Sequence, residues 1–238
     1  MEIALDCYGS GFQPKGNNYY GRDISDPEAP EYYGVPAFWN VSKIGRVLNG
    51  SGPLSWFHDG SPWGVWGMNG NFSEVTTGLR QKAGEIQVLA NNDAALSDCD
   101  HSDATGPWKA ILQDGSLVEP GTEGTLKYDA LSAITISTSV TTRTTAGKSQ
   151  TFGTVAVADG VTIPKIAQLL GIAPIGTAAQ HGSDYIYIRN DADGTYSETV
   201  ARRGGYWHYY TQVGVFYLNL CNPCSYTHPH YGARLAFL

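Results

Sequence analysis

The stretch GSGPLSWFHDGSPWGVWGMNGNF, residues 50 to 72, returns to glycine, proline or asparagine every few positions, so no helical or strand period can run through it. What it supplies instead is large rings: Trp56, Trp63 and Trp66, with Trp39 just upstream. Buried aromatic side chains can hold irregular backbone where hydrogen-bonded ladders are absent. Such a chain folds as a turn-rich scaffold. With 29 glycines and 15 tyrosines in 238 residues, and only 16 % charged residues, the composition argues against both a disordered chain and a helical bundle.

The remaining segments are read by period. GEIQVLA and DYIYIRN alternate as strands, WKAILQDGSLV reads as two short strands about an Asp-Gly turn, and TVARRGGYW is extended. Residues 127–152, rich in β-branched side chains, are strand or extended surface. TIPKIAQLLGIAP is the best helix, with Pro164 in its first turn, apolar residues at 166, 169 and 170, and Gly171 to end it. VSKIGRVLNG reads as a second short helix, capped by Ser42 and stopped by Gly50. IALDCY is a short apolar segment near the start. With no repeat and no interdomain linker, the chain reads as one irregular α+β domain.

A net charge of −7 and a pI near 5.2 argue against a general nucleic-acid or anionic-membrane binder. No window approaches the 18 or so apolar residues of a membrane span, and no secretory signal is visible at the N-terminus. Cys7, Cys99, Cys221 and Cys224 are too few for a disulfide scaffold of this size. After Glu198 there is no Asp, Glu or Lys; the last forty residues are dense in Tyr, Trp, His, Asn and Cys.

Within them, CNPCSYTHPHYG, residues 221–232, holds the ligand types of a zinc site in Cys221, Cys224, His228 and His230. The spacing suits zinc poorly. Only three residues separate Cys224 from His228, and Pro223 and Pro229 stiffen both halves. His58 and Asp59 in FHDG, His181 in QHGSD, and DADG at 191–194 each read as turn chemistry; no Glu closes a calcium loop after DADG.

The cluster sits in a regular frame: RGG-x-W from Arg203, GVF-x-L-x-L from Gly214, and G-x-R-x-A-F at the end. Between these pieces stands an odd assortment, Tyr206, His208, Tyr209, Tyr210, Cys221, Asn222, Tyr226, His228, His230 and Tyr231. This pattern resembles the C-terminal variable region of diversity-generating retroelement target proteins, which carry the C-type lectin fold in its formylglycine-generating-enzyme-like form. In that family, adenine-specific mutagenesis rewrites AAY codons, which reach Tyr, His, Asn, Ser, Thr, Pro and Cys but not Lys, Glu, Gln, Trp or Met. The odd residues all fall in the reachable set, which would make the CxxC incidental; Trp207 and Gln212 belong to the frame. Upstream, Gly64, Val65, Met68, Gly70, Asn71 and Glu74 match the phage-associated branch, whereas Gly67, Ser73, Val75 and Ala233 depart from it.

The resemblance implies a single C-type lectin-like domain over 1–238, α+β, loop-rich, with short antiparallel strands and few helices, and a variable region at 203–238. Members usually begin with a strand and a helix that this sequence lacks before IALDCY, which implies a shortened form or replacement of the strand from elsewhere. The implied function is a hypervariable receptor-binding protein, not an enzyme, that displays Tyr206, His208, Tyr209, Tyr210, Tyr217, Asn219, Cys221, Asn222, Tyr226, His228, His230 and Tyr231 on one exposed face. Tyrosine gives stiff amphipathic contact area, and Asn and His give adaptable hydrogen bonds. Trp207, Phe216, Leu218, Leu220 and Phe237 are core expectations, with Tyr206 and Tyr217 open to either role. The implied partner is a host-cell surface receptor, protein or glycan, beside other virion tail proteins, at a phage tail-fibre tip or on a bacterial surface. No cofactor, nucleic acid or membrane is implied, and members occur as monomers and trimers. The alternatives are a calcium-independent glycan binder, a Cys/His metal protein, and a formylglycine-generating enzyme. The enzyme would need two cysteines for copper soon after RGG-x-W, where this chain has HYYTQVG.

Overall fold

The computed structural model describes residues 13–102 and 106–233. Over these the chain is mostly strand with few, short helices, in two open sheets. The smaller pairs β1 (Gly34–Ala37) antiparallel with β2 (Asn40–Val47). The larger is a mixed sheet of 12 strands: β3 (Ser73–Lys82), β4 (Glu85–Leu89), β5 (Trp108–Ile111), β6 (Leu117–Val118), β7 (Lys127–Ala130), β8 (Ile134–Ser137), β9 (Lys148–Thr151), β10 (Ala156–Val157), β11 (Tyr185–Ile188), β12 (Glu198–Arg203), β13 (Leu218–Leu220) and β14 (Tyr231–Gly232). The path runs β10, β8, β7, β4, β3, β12, β13, β11, β9, with β14 parallel to the start of β3. The C-terminal strand β13 is therefore internal, parallel to β11 and antiparallel to β12.

The main core gathers Ile86, Tyr128, Ile136, Phe152, Ile186, Phe216 and Leu218 between sheet and loops. Each such side chain contributes about 1.5–3 kcal/mol on leaving water. A second, small core joins Val47, Trp56, Phe57 and Trp66, so the expectation that rings pin the turn-rich stretch holds for two of its tryptophans. Trp63 does not take part; it stands in solvent.

Much of the irregular backbone is held by buried carboxamides. Asn71, itself left-handed at φ 66°, accepts from the Val47 amide (2.8 Å) and from Asn17 Nδ2 (2.9 Å). Asn17 in turn donates to the Gly45 carbonyl (2.7 Å) and accepts from the Gly21 amide (2.7 Å). Asn190 plays the same part on the far side, donating to the carbonyls of Tyr128 and Thr142 and accepting from the Thr144 amide.

The expected strands in GEIQVLA, WKAILQDGSLV, DYIYIRN and TVARRGG form as β4, β5–β6, β11 and β12, and 127–152 holds β7, β8 and β9. The expected helix is α1 (Lys165–Leu169), but Pro164 lies one position earlier than its first turn, extended at the cap. Two expectations fail. VSKIGRVLNG is not a helix but β2: Gly45 and Val47 are buried on one face, and a Cβ at Gly45 would lie 3.1 Å from Trp207. Ser42 caps nothing; its amide and hydroxyl bond to Asn40 Oδ1. The longest strand, β3, was masked in sequence by its charges, yet Arg80 is fully buried over the Trp108 ring (4.1 Å), bonded to Gln87 and paired with Glu198. IALDCY and residues 234–238, with Arg234 and Phe237, lie outside the described residues.

The exit from β12 sets the direction of everything C-terminal to it. Gly204 and Gly205 both have positive φ (75° and 71°), and the Gly204 carbonyl accepts from the Gly70 amide (2.8 Å). A Cβ on Gly204 would meet nothing closer than 3.6 Å, but one on Gly205 would fall 1.9 Å from Val213 Cγ1. Left-handed backbone costs a non-glycine residue about 1–2 kcal/mol, and overpacking about 1–3 more. Gly204→Ala should therefore destabilise by about 1 kcal/mol and Gly205→Ala by about 3 kcal/mol in urea unfolding. Equal costs would show that the Val213 contact does not constrain this turn.

Candidate ligand-binding face

From Gly205 the chain passes under the β1–β2 turn. Trp207 is buried and stacks on Trp39 (centroids 5.6 Å apart, planes 17°), and its carbonyl accepts from the Tyr20 amide (3.0 Å). Tyr210 takes a positive φ of 54° at the start of a short 3-10 turn, where its amide donates to the Asn18 carbonyl. The chain then dives inward at Val213. Phe216 donates its amide to the buried carboxylate of Asp184 (2.8 Å). Burial pushes the Asp184 carboxyl up to about 7, an effect that this one N–H bond only partly offsets.

β13 then crosses the middle of the sheet. Arg202, buried on β12, donates to Asn219 Oδ1 and the Asn222 carbonyl, and its guanidinium lies 4.3 Å from the Tyr231 ring centre. Turned so that all its atoms are paired, the Asn222 carboxamide accepts from Arg202 (3.2 Å) and the Tyr231 hydroxyl (2.8 Å). After β13 the segment 222–230 loops out and returns through β14, where the His230 carbonyl accepts from the Ser73 amide (2.9 Å).

The rings along this path join into one network. His230 stacks on Tyr206 (3.9 Å, 5°) and touches His228 (3.8 Å), which parallels Tyr226 (6.3 Å, 3°). Tyr206 meets Tyr209 (4.1 Å), which parallels Tyr187 of β11 (5.9 Å, 13°). Phe38 meets His228 (5.3 Å), and Trp39, His208, Tyr20, Tyr210 and Tyr19 continue the chain of contacts.

Seven of the twelve expected residues lie at least partly exposed in or against this network: His208, Tyr209, Tyr210, Tyr226, His228, His230 and Tyr231. The other five are not displayed. Tyr206, Tyr217, Asn219, Cys221 and Asn222 are buried, because β13 and its flanks are covered on both faces and Tyr206 is enclosed by His230 and Tyr209. Sequence reasoning missed Tyr19, Tyr20, Phe38, Trp39 and Tyr187; aromatic pairs inside Gly/Asn/Pro turns, NNYYG and PAFWN, were the available signal. The core expectations Trp207, Phe216, Leu218 and Leu220 are all buried.

The network is electrically quiet. Burial pushes the tyrosine hydroxyls of 187, 206, 209 and 217 up and holds His208 and His228 below the usual imidazole range. His230 falls to about 3, through burial first and then the nearby His228 and Arg202. The Nδ1 atoms of His228 and His230 and Nε1 of Trp207 have no hydrogen-bond partner in the structure.

Among the described residues, no three His, Cys, Asp or Glu side chains come together as metal ligands. Cys221 is buried, its thiol pushed up to about 12, while Cys224 is exposed. His181 packs against Phe152 and Phe216 with Nε2 accepting from Ile175 and Nδ1 facing the Thr177 carbonyl; His58 and Asp59 organise a turn. Comparison with protein-family models finds no match to this chain, and comparison with curated proteins finds none either.

His230 and Asp184 make opposite contributions to the pH dependence of stability. Folded His230 binds fewer protons than an unfolded imidazole between about pH 3 and 6.5, so its contribution is lost as pH falls through that window. Folded Asp184 binds more protons than an unfolded carboxyl between 3.8 and about 7, so its contribution is lost as pH rises through that window. In melting curves taken from pH 4 to 8, His230→Phe should gain stability over wild type toward the acid end. Asp184→Asn should gain toward pH 8. Parallel curves for all three proteins would show that neither group titrates as its burial requires.

Proposed function

We propose that this protein is a hypervariable ligand-binding module of the C-type lectin type, diversified by a retroelement and serving as a receptor-binding tip of a phage tail. The observation that carries the reading is a separation along one segment. The frame residues Trp207, Val215, Phe216, Leu218 and Leu220 are buried, while seven of the twelve expected variable residues, His208, Tyr209, Tyr210, Tyr226, His228, His230 and Tyr231, share one ring network at the surface. A backbone held by the first set tolerates exchange in the second, as a diversified surface requires. On this reading the module binds and does no chemistry, and its partner is a receptor on the host cell.

An uncharged glycan is the second reading of the partner. It is favoured by ring faces that are exposed at Phe38, Trp39, Tyr210 and Tyr226, with imidazole nitrogens beside them and no acidic side chain after Glu198.

Deep sequencing of the 3′ end of the gene across the source population tests the proposal. Substitutions should concentrate at the seven exposed positions and spare Trp207, Gly214 and Phe216. Invariance of Cys221, Cys224, His228 and His230 would overturn the diversified surface. In the protein, exchanging the exposed Tyr226 for Ser should change stability by less than about 1 kcal/mol, whereas Trp207→Ala should cost about 3–5 kcal/mol. Comparable losses in chemical denaturation would mean that the exposed rings are structural.

A further inference from the structure

An asparagine stands directly before a glycine at two places in this chain, Asn49–Gly50 and Asn69–Gly70, and the fold treats the two pairs differently. Glycine has no side chain to shield its own backbone nitrogen or to restrict its approach. Such a pair is therefore where an asparagine carboxamide is most open to attack by the amide that follows it.

The second pair is locked. Asn69 Nδ2 donates to the Pro14 carbonyl (3.0 Å), Asn69 Oδ1 accepts from Asn18 Nδ2 (3.0 Å), and the Gly70 amide donates to the Gly204 carbonyl (2.8 Å). Gly70 is also packed so closely that a Cβ on it would fall 2.2 Å from the Asn17 carbonyl oxygen. These three bonds must open before the Gly70 nitrogen can reach the Asn69 side chain, which cuts the reactive population by about tenfold to a thousandfold.

The first pair is open. Asn49 and Gly50 are the exposed central residues of a turn closed by Ser51, whose amide and hydroxyl both donate to the Leu48 carbonyl (3.0 and 2.6 Å). Trp66 Nε1 donates to the Ser51 carbonyl (2.5 Å), so the turn is anchored at its exit and bare at its tip. Among the described residues, no group hydrogen-bonds to the Asn49 carboxamide or the Gly50 amide, and nothing lies within 4 Å of where a Cβ on Gly50 would stand.

We propose that Asn49–Gly50 is a self-modification site, at which Asn49 converts to aspartate and isoaspartate while Asn69 is protected. Base removes the Gly50 amide proton, and the nitrogen attacks Cγ of Asn49. The new C–N bond closes a five-membered succinimide; the bond from Cγ to the side-chain nitrogen breaks, and ammonia leaves with a proton returned by the base. Water then opens the ring at either carbonyl. Addition at Cγ gives aspartate on an unchanged backbone, and addition at the main-chain carbon leaves the backbone running through the side chain, as isoaspartate. Nothing is oxidised or reduced, and water is the co-reactant.

The product alters a groove of about 480 Å³ that Asn49 lines with Tyr33, Leu48 and Phe72. Arg46 is the one charged side chain among the described residues that line it, its guanidinium 5.5 Å from the Phe72 ring centre. Deamidation places a carboxylate in that groove and cancels its positive charge. The isoaspartyl form also lengthens the main chain by a methylene between β2 and the turn that carries Trp56. None of this involves the ring network, so the inference stands apart from the proposed function.

The test is peptide mapping by mass spectrometry after the folded protein is aged at pH 8 in water enriched in oxygen-18, which marks only residues converted during ageing. One tryptic peptide, Val47 to Arg80, carries both pairs, so fragmentation compares them in the same molecule. Asn49 should take up label about tenfold or more faster than Asn69, with isoaspartate among the products, and in urea the two should label at similar rates. Asn49→Gln, whose longer arm would have to close a larger ring, should stay unlabelled at that position. Equal rates at the two asparagines in the folded protein would overturn the proposal. So would a folded protein that takes no label at Asn49 while the urea-unfolded chain takes it at both.

Discussion

The pairing of Asn17 with Asn71 is the constraint on which the turn-rich half of the molecule rests. A carboxamide carries a donor and an acceptor on one short arm, so a buried pair can satisfy backbone from several turns that never align as strands. Here the pair reaches the backbone of Gly21, Gly45 and Val47 and thereby fixes the coil at 17–21, the hairpin and the entry to β3 relative to one another. Losing either partner would strand buried polar groups at about 1–3 kcal/mol apiece. The rings above this layer are positioned by it: Trp39 and Trp207 can stack because the backbone beneath them has already been set.

Where local pattern and tertiary demand agree, the elements were legible in the sequence. β11 alternates in sequence and in burial, the β5–β6 turn is an Asp-Gly, and α1 is bounded by Pro164 and Gly171, while β4 alternates in sequence although Glu85 and Gln87 are buried too. β2 was misread because Ser42 and Gly50 look like a helix cap and stop and its apolar residues do not alternate; pairing with β1 and the approach of Gly45 to Trp207 make it a strand. β3 was hidden because Arg80 and Gln81 look like surface. Their burial depends on Gln87 across the β3–β4 hairpin and on Trp108, Glu198 and Arg189, which are distant in sequence. The candidate face divides in the same way. Tyr217, Asn219 and Cys221 alternate as though one side of a strand faced solvent, but Tyr187 and Tyr209 lie against Tyr217 and Arg202 of the neighbouring β12 bonds to Asn219. What covers the face of a strand comes from other elements, which no local pattern encodes.

The face and the sheet beneath it differ in electrostatic character. Arg202, Arg80 and Arg203 are the cations brought under the surface, each against carbonyls, carboxamides, a carboxylate or ring faces. Above them burial holds His208, His228 and His230 below the usual imidazole range and pushes the Tyr206 and Tyr209 hydroxyls up, so contact with a partner would depend on shape, ring faces and hydrogen bonds more than on long-range attraction.

The loop between β13 and β14 is tied at both ends, by the sheet at Leu220 and by the pairing of Tyr231 with Ser73. Closing a loop costs entropy that grows only logarithmically with length, about 0.6 kcal/mol for each doubling. Inserted residues between Asn222 and His230 would therefore leave the strands in register and add contour above them. The fold has latitude in how far this loop reaches as well as in which side chains it carries.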